Sequence, residues 1–72
     1  MSVFEQKKTT MMVCLRKVHK MASDNHALRR SAAIKLTEFM RLRYPKKALW
    51  TACTTMAVHT GNPEWFKLRQ IL

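Results

Sequence analysis

The side chains in this sequence that could carry chemistry are two cysteines, three histidines, four carboxylates and a large set of arginines and lysines. A nucleophilic thiol needs a histidine within hydrogen-bond reach. Cys14 and Cys53 stand far apart, and nothing in their spacing from His19, His26 or His59 favours such a pair over chance. Tetrahedral zinc draws on close ligand pairs such as C-x2-C or H-x3-H. Here the cysteines are separate and the three histidines fall in three different segments. Glu5, Asp24, Glu38 and Glu64 are scattered, so no two carboxylates share a face for acid–base work, and the single glycine, Gly61, leaves no glycine-rich phosphate loop. The expectation is therefore no catalytic residue, no metal site, no cofactor and no enzyme. The histidines read as polar surface groups near helix ends, and both cysteines as reduced core thiols.

The basic residues are the one constellation with weight. Fourteen Lys and Arg stand against four Asp and Glu, a net charge of +10. Charge on that scale speaks to association more than to fold, because self-repulsion is relieved by a polyanion. Arg16, Lys17 and Lys20 line one side of a first helical segment, and Arg29 and Arg30 open a second. Arg41, Arg43, Lys46 and Lys47 bracket a Tyr44-Pro45 turn, and Lys67 and Arg69 follow near the end of the chain. The arginine fork and the N–H groups of a helix start near Lys46 both suit phosphate oxygens. These nine residues, from Arg16 to Lys47, are the expected contacts to nucleic acid, DNA or RNA. Such contacts fix position without reading sequence. Two helices around a basic turn invite comparison with helix-turn-helix proteins, but the glycine often found in that turn is absent and the motif is not assigned.

The alternative is an adaptor or inhibitor that docks on an acidic protein surface, since basic helical surfaces serve both kinds of partner. Trp65 and Phe66 would then be its buried anchors. A third reading, in which the basic residues merely solvate the surface, fits less well because solvating surfaces usually mix both signs. Small size and basic character are also those of accessory proteins such as phage- or prophage-encoded regulators, a matter of composition with no motif behind it.

The elements that must position these residues read as helices. Seventy-two residues make one domain with a thin core, and the apolar fraction of 47 % is enough for collapse. One glycine and two prolines are too few turn formers for an all-β domain. The expected fold is all-α, a small single-domain bundle of three to four short helices.

A first helix starts at Val3 behind a Ser2–Glu5 capping box and ends near Ala22. A second follows the capping cluster Ser23-Asp24-Asn25 and runs to about Arg43. Pro45 suits the first turn of a third helix, with Leu49, Trp50, Cys53, Met56 and Ala57 on one face and Gly61 as its left-handed stop. Its threonines favour strand over residues 51–60, but the apolar spacing favours helix. Asn62-Pro63-Glu64 opens a fourth.

The expected core is Leu15, Val18, Leu28, Leu36, Phe39, Leu49, Cys53 and Met56. The last helix carries Trp65, Phe66, Leu68, Ile71 and Leu72, more apolar surface than a small domain covers, which points to a homodimer or to a partner seated there. The longest apolar run, residues 11–15, is far short of a membrane span, and no signal-peptide pattern opens the chain. The expectation is a cytoplasmic protein with no membrane partner.

Overall fold

The computed structural model describes residues 3–72, so the Ser2–Glu5 capping box lies outside the described residues. The chain forms α1 (Val3–Met21), α2 (Asn25–Arg41), α3 (Lys46–Thr60) and α4 (Glu64–Leu68), and a 3-10 turn over Arg69–Ile71 follows. No strand occurs among the described residues. The fold is an all-α bundle.

Each boundary has a local cause. Asp24, in an extended conformation, accepts the Ala27 N–H at 2.6 Å and so starts α2. The third helix holds its threonines by giving each hydroxyl a partner one turn back. Thr51 donates to the Lys47 carbonyl at 2.8 Å, Thr54 to Trp50 at 3.1 Å, Thr55 to Thr51 at 2.9 Å and Thr60 to Met56 at 2.6 Å. With the hydroxyls absorbed, the strand preference of threonine has no hold. Gly61 closes α3 at φ 69°, with its N–H on the Ala57 carbonyl at 3.0 Å.

The junction between α2 and α3 departs from expectation in two ways. Helix α2 stops at Arg41, two residues early, because Arg43 takes a left-handed conformation at φ 62°. The Tyr44 N–H then reaches back to the Phe39 carbonyl and the Arg43 N–H to the Met40 carbonyl, both at 3.0 Å. That is a Schellman closure with an arginine where glycine usually sits. The Phe39 and Tyr44 rings, 5.0 Å apart, supply the apolar contact that accompanies it. Pro45, expected inside the first turn of α3, instead precedes it at ψ 131°, and its carbonyl accepts the Leu49 N–H at 3.1 Å. The last helix is also shorter than expected, five residues before the 3-10 turn.

Short connections over residues 22–24 and 42–45 turn the chain back on itself twice. Helix α1 packs on both α2 and α3, and α4 packs on the same two helices. Between them lies a core of Met11, Met12 and Leu15 from α1, Leu28, Leu36 and Phe39 from α2, and Leu49, Cys53 and Met56 from α3. Ala32, Ala48, Ala52 and Ala57 let the backbones approach closely, and Trp65 and Leu68 of α4 complete it. Val18, expected inside, is only half-buried at its edge. Leu36 is fully enclosed, so Leu36→Ala should cost about 2–5 kcal/mol, a large fraction of a small domain's stability. Urea denaturation followed by circular dichroism will measure it, and an unchanged midpoint would contradict this core.

Candidate functional site

The carboxylates come first, because they decide which cations are free. Asp24 is committed as the α2 cap. Glu38 pairs with Lys35 at 3.3 Å on the surface. Glu64, only 5 % exposed, accepts Arg29 Nε at 3.0 Å and Nη2 at 2.5 Å on one oxygen and Lys67 Nζ at 3.1 Å on the other. The hydrogen bond from Arg29, followed by that from Lys67, holds its carboxyl below the ordinary glutamate value, against the opposing effect of burial.

Arg29, expected on nucleic acid, is thus ion-paired to Glu64 and ties α4 to α2, with its side chain still 46 % exposed. The other eight expected contacts, Arg16, Lys17, Lys20, Arg30, Arg41, Arg43, Lys46 and Lys47, are all exposed, and none is ion-paired among the described residues.

These eight do not form one face. Arg16, Lys17 and Lys20 lie on the side of α1 turned away from Met11, Met12 and Leu15, through which that helix meets its neighbours. They also fall in the C-terminal half of α1, near where α2 begins. Arg30 and Arg41 share the outer face of α2 with Ile34, but about 16 Å of helix rise separates them. Arg41, Arg43, Lys46 and Lys47 fall within seven residues, at the corner where α2 ends and α3 begins. No side chain caps α3 and no acid occupies its first turn, so the positive end of its dipole adds to the four charges.

A second feature continues from that corner and was not foreseen. Trp50, expected on the apolar face of α3, is 48 % exposed, because Ala48, Leu49, Ala52, Cys53, Met56 and Ala57 already fill that face. Its ring lies 4.3 Å from the Arg69 guanidinium carbon, which also stands 4.8 Å from the Phe66 ring. Arg69 is fixed further by donating from Nη1 to the Thr54 hydroxyl at 3.1 Å. Lys46 and Lys47 precede Trp50 by one helical turn. That spacing is visible in the sequence, whereas the contact with Arg69 exists only once α4 is docked.

The residues expected at a partner or dimer interface divide. Trp65 and Leu68 are buried in the domain's own core, at 0 % and 2 % exposure, so they are not surface anchors. Their spacing of three turns both inward, while Phe66 and Ile71 fall outside, each 42 % exposed. Leu72 is partly buried against the core. His19 is also partly buried, where its Nδ1 accepts the Trp65 indole N–H at 3.2 Å, while His26 and His59 are exposed. Cys14 and Cys53 are free thiols. Burial pushes Cys53 up to about 11 despite Arg69 nearby, which keeps it a protonated core group.

Among the described residues no group of three or more His, Cys, Asp or Glu could hold a metal ion, and no helix is long and apolar enough to cross a membrane. Comparison with known proteins finds no match to a family model, to a curated protein or to a solved structure.

Two outcomes follow from this geometry. Because the Glu64 carboxyl is held below its ordinary value of 4.5, its contribution to stability is complete above that value. It is lost as pH falls through the lower folded value. Thermal unfolding followed from neutral pH to about pH 2 should show that loss, and Glu64→Gln should flatten it. An identical acid limb in the variant would refute the role. Separately, His19→Ala leaves the enclosed Trp65 N–H without an acceptor and should cost about 1–3 kcal/mol. Chemical denaturation of His19→Ala beside His19→Gln, which keeps an acceptor, will read it.

Proposed function

We propose that this protein is a small nucleic-acid-binding domain that grips phosphates at the α2–α3 corner through Arg41, Arg43, Lys46 and Lys47. The observation that carries the reading is Arg43. It holds a left-handed conformation that disfavours every side chain but glycine and, to a lesser degree, asparagine and aspartate. The Schellman closure itself has no use for a guanidinium there, yet that position adds a long cation to make four within seven residues, none of them ion-paired among the described residues. Strain at one residue inside such a cluster is a pointer to function. The uncapped start of α3 supplies oriented N–H groups to the same place.

Binding of this kind needs no cofactor and performs no reaction. The protein acts by occupancy, as a regulatory or accessory factor, and its place of work is the cytoplasm. The exposed Trp50 and Phe66, with the partly buried Arg69 between them, favour a second reading, an adaptor on an acidic protein, because interface energy concentrates in aromatics and arginines. Of the two anchors that reading named, Trp65 is taken into the core and Phe66 stays exposed.

Affinity for DNA and RNA measured across a salt series tests the proposal. Each phosphate neutralised contributes a slope of about −0.9 on duplex and −0.7 on single strands, so four contacts give about −3 to −4. Arg43→Gly should flatten the slope by about one phosphate while stability holds or rises by up to about 1 kcal/mol. Replacing Arg16, Lys17 and Lys20 by alanine should leave the slope near its original value. Absence of binding at low salt, or equal losses from the α1 triple and from Arg43, Lys46 and Lys47 together, would defeat the proposal.

A further inference from the structure

A tryptophan that is half in water, locked in place and flanked by free lysines is an unusual thing for a small domain to display. Trp50 is such a residue. One part of its ring is covered by the Arg69 guanidinium at 4.3 Å, and 48 % of the residue stays open. Arg69 also stands 4.8 Å from the Phe66 ring and donates to the Thr54 hydroxyl. The indole is therefore pre-set, and a ligand that stacks on it freezes little further motion. Lys46 and Lys47 stand one turn away on the same helix, a rise of about 5.4 Å. That is the scale on which one nucleotide separates its phosphate from its base.

From this juxtaposition we infer that Trp50 is a stacking platform for an unpaired base, and that the nucleic acid this corner takes is single-stranded. The inference rests on the proposed phosphate grip. Base faces inside a duplex are already stacked on one another and cannot reach a protein ring. Single strands offer every base face, and groove-tracking cations with aromatic platforms are the usual means of holding them. Charge complementarity names the occupant: Lys46 and Lys47 stand one turn from the ring on the same helix, Arg41 and Arg43 precede them across the connection, and none of the four is ion-paired among the described residues. Stacking of this kind tolerates any base, so the platform adds affinity without sequence preference.

The test uses the full chain with a labelled oligo-dT, an oligo-U and a duplex of equal length, by fluorescence anisotropy at low salt. Trp50→Ala should weaken single-strand binding about 5- to 150-fold and leave the salt slope unchanged, with Trp50→Phe recovering most of the loss. Duplex binding should be indifferent to both variants. Because Trp50 is exposed, its emission in the unaltered protein should be quenched as the single strand binds, a readout that depends on no variant folding.

Single-strand binding with no quenching and no effect of Trp50→Ala would overturn the platform while the phosphate grip stands. Equal losses on duplex and single strand would overturn it too. Failure of every oligonucleotide to bind would remove both. If poly-glutamate bound as tightly and with the same dependence on Trp50, the surface would belong to an acidic protein instead.

Discussion

A helix of five residues has no stability of its own in water, so α4 keeps its place only through what Trp65 and Glu64 meet on the three longer helices. The two side chains solve different problems. Trp65 brings the largest apolar surface in the core, and its single polar atom is satisfied by His19 of α1. Glu64 would be costly to enclose as a bare carboxylate, but it receives Arg29 from α2 and Lys67 from α4 itself. One short segment thereby touches every other helix. Arg69 follows Leu68 directly, so docking the core side of α4 also throws its guanidinium across Trp50 and Phe66. The aromatic surface is a consequence of core packing, and the two are lost or kept together.

The same ion pair explains how the charge excess is arranged. Asp24 caps a helix, Glu38 pairs with Lys35 and Glu64 takes Arg29 and Lys67, so the remaining described cations carry no ion pair and repel one another across the surface. Arg16, Lys17 and Lys20 stand on α1, Arg30 on the outer face of α2, and Arg41, Arg43, Lys46 and Lys47 about the α2–α3 connection.

Much of the architecture is legible in the residues themselves. Asp24, Gly61 and the Asn62-Pro63-Glu64 signal act within one turn of where they stand, and the apolar stripe of α2 needs only helical periodicity. What escapes is whatever depends on a neighbour that is distant in sequence. Five apolar residues on a short last helix cannot declare which of them face inward until α2 and α3 present the groove, and so Trp65 reads as an anchor for a partner. Glu64 reads as a capping acid, and Arg29 as a free cation, because their meeting spans thirty-five positions. Trp50 sits beside Cys53 and Ala57 on the helical wheel, and only the crowding by small residues on that face leaves it outside.

The α2–α3 corner also settles how far the likeness to helix-turn-helix proteins extends. A recognition helix reads bases with side chains near its start that carry paired donors and acceptors, chiefly Arg, Asn and Gln. The first two turns of α3 expose Lys46, Lys47 and Trp50 but no Arg, Asn or Gln, and the threonines that follow have turned their hydroxyls back onto the helix. For the proposed function, clustered cations beside an open ring, with no Asn, Gln or Arg at the helix start to read a base edge, suit a strand whose bases are already free.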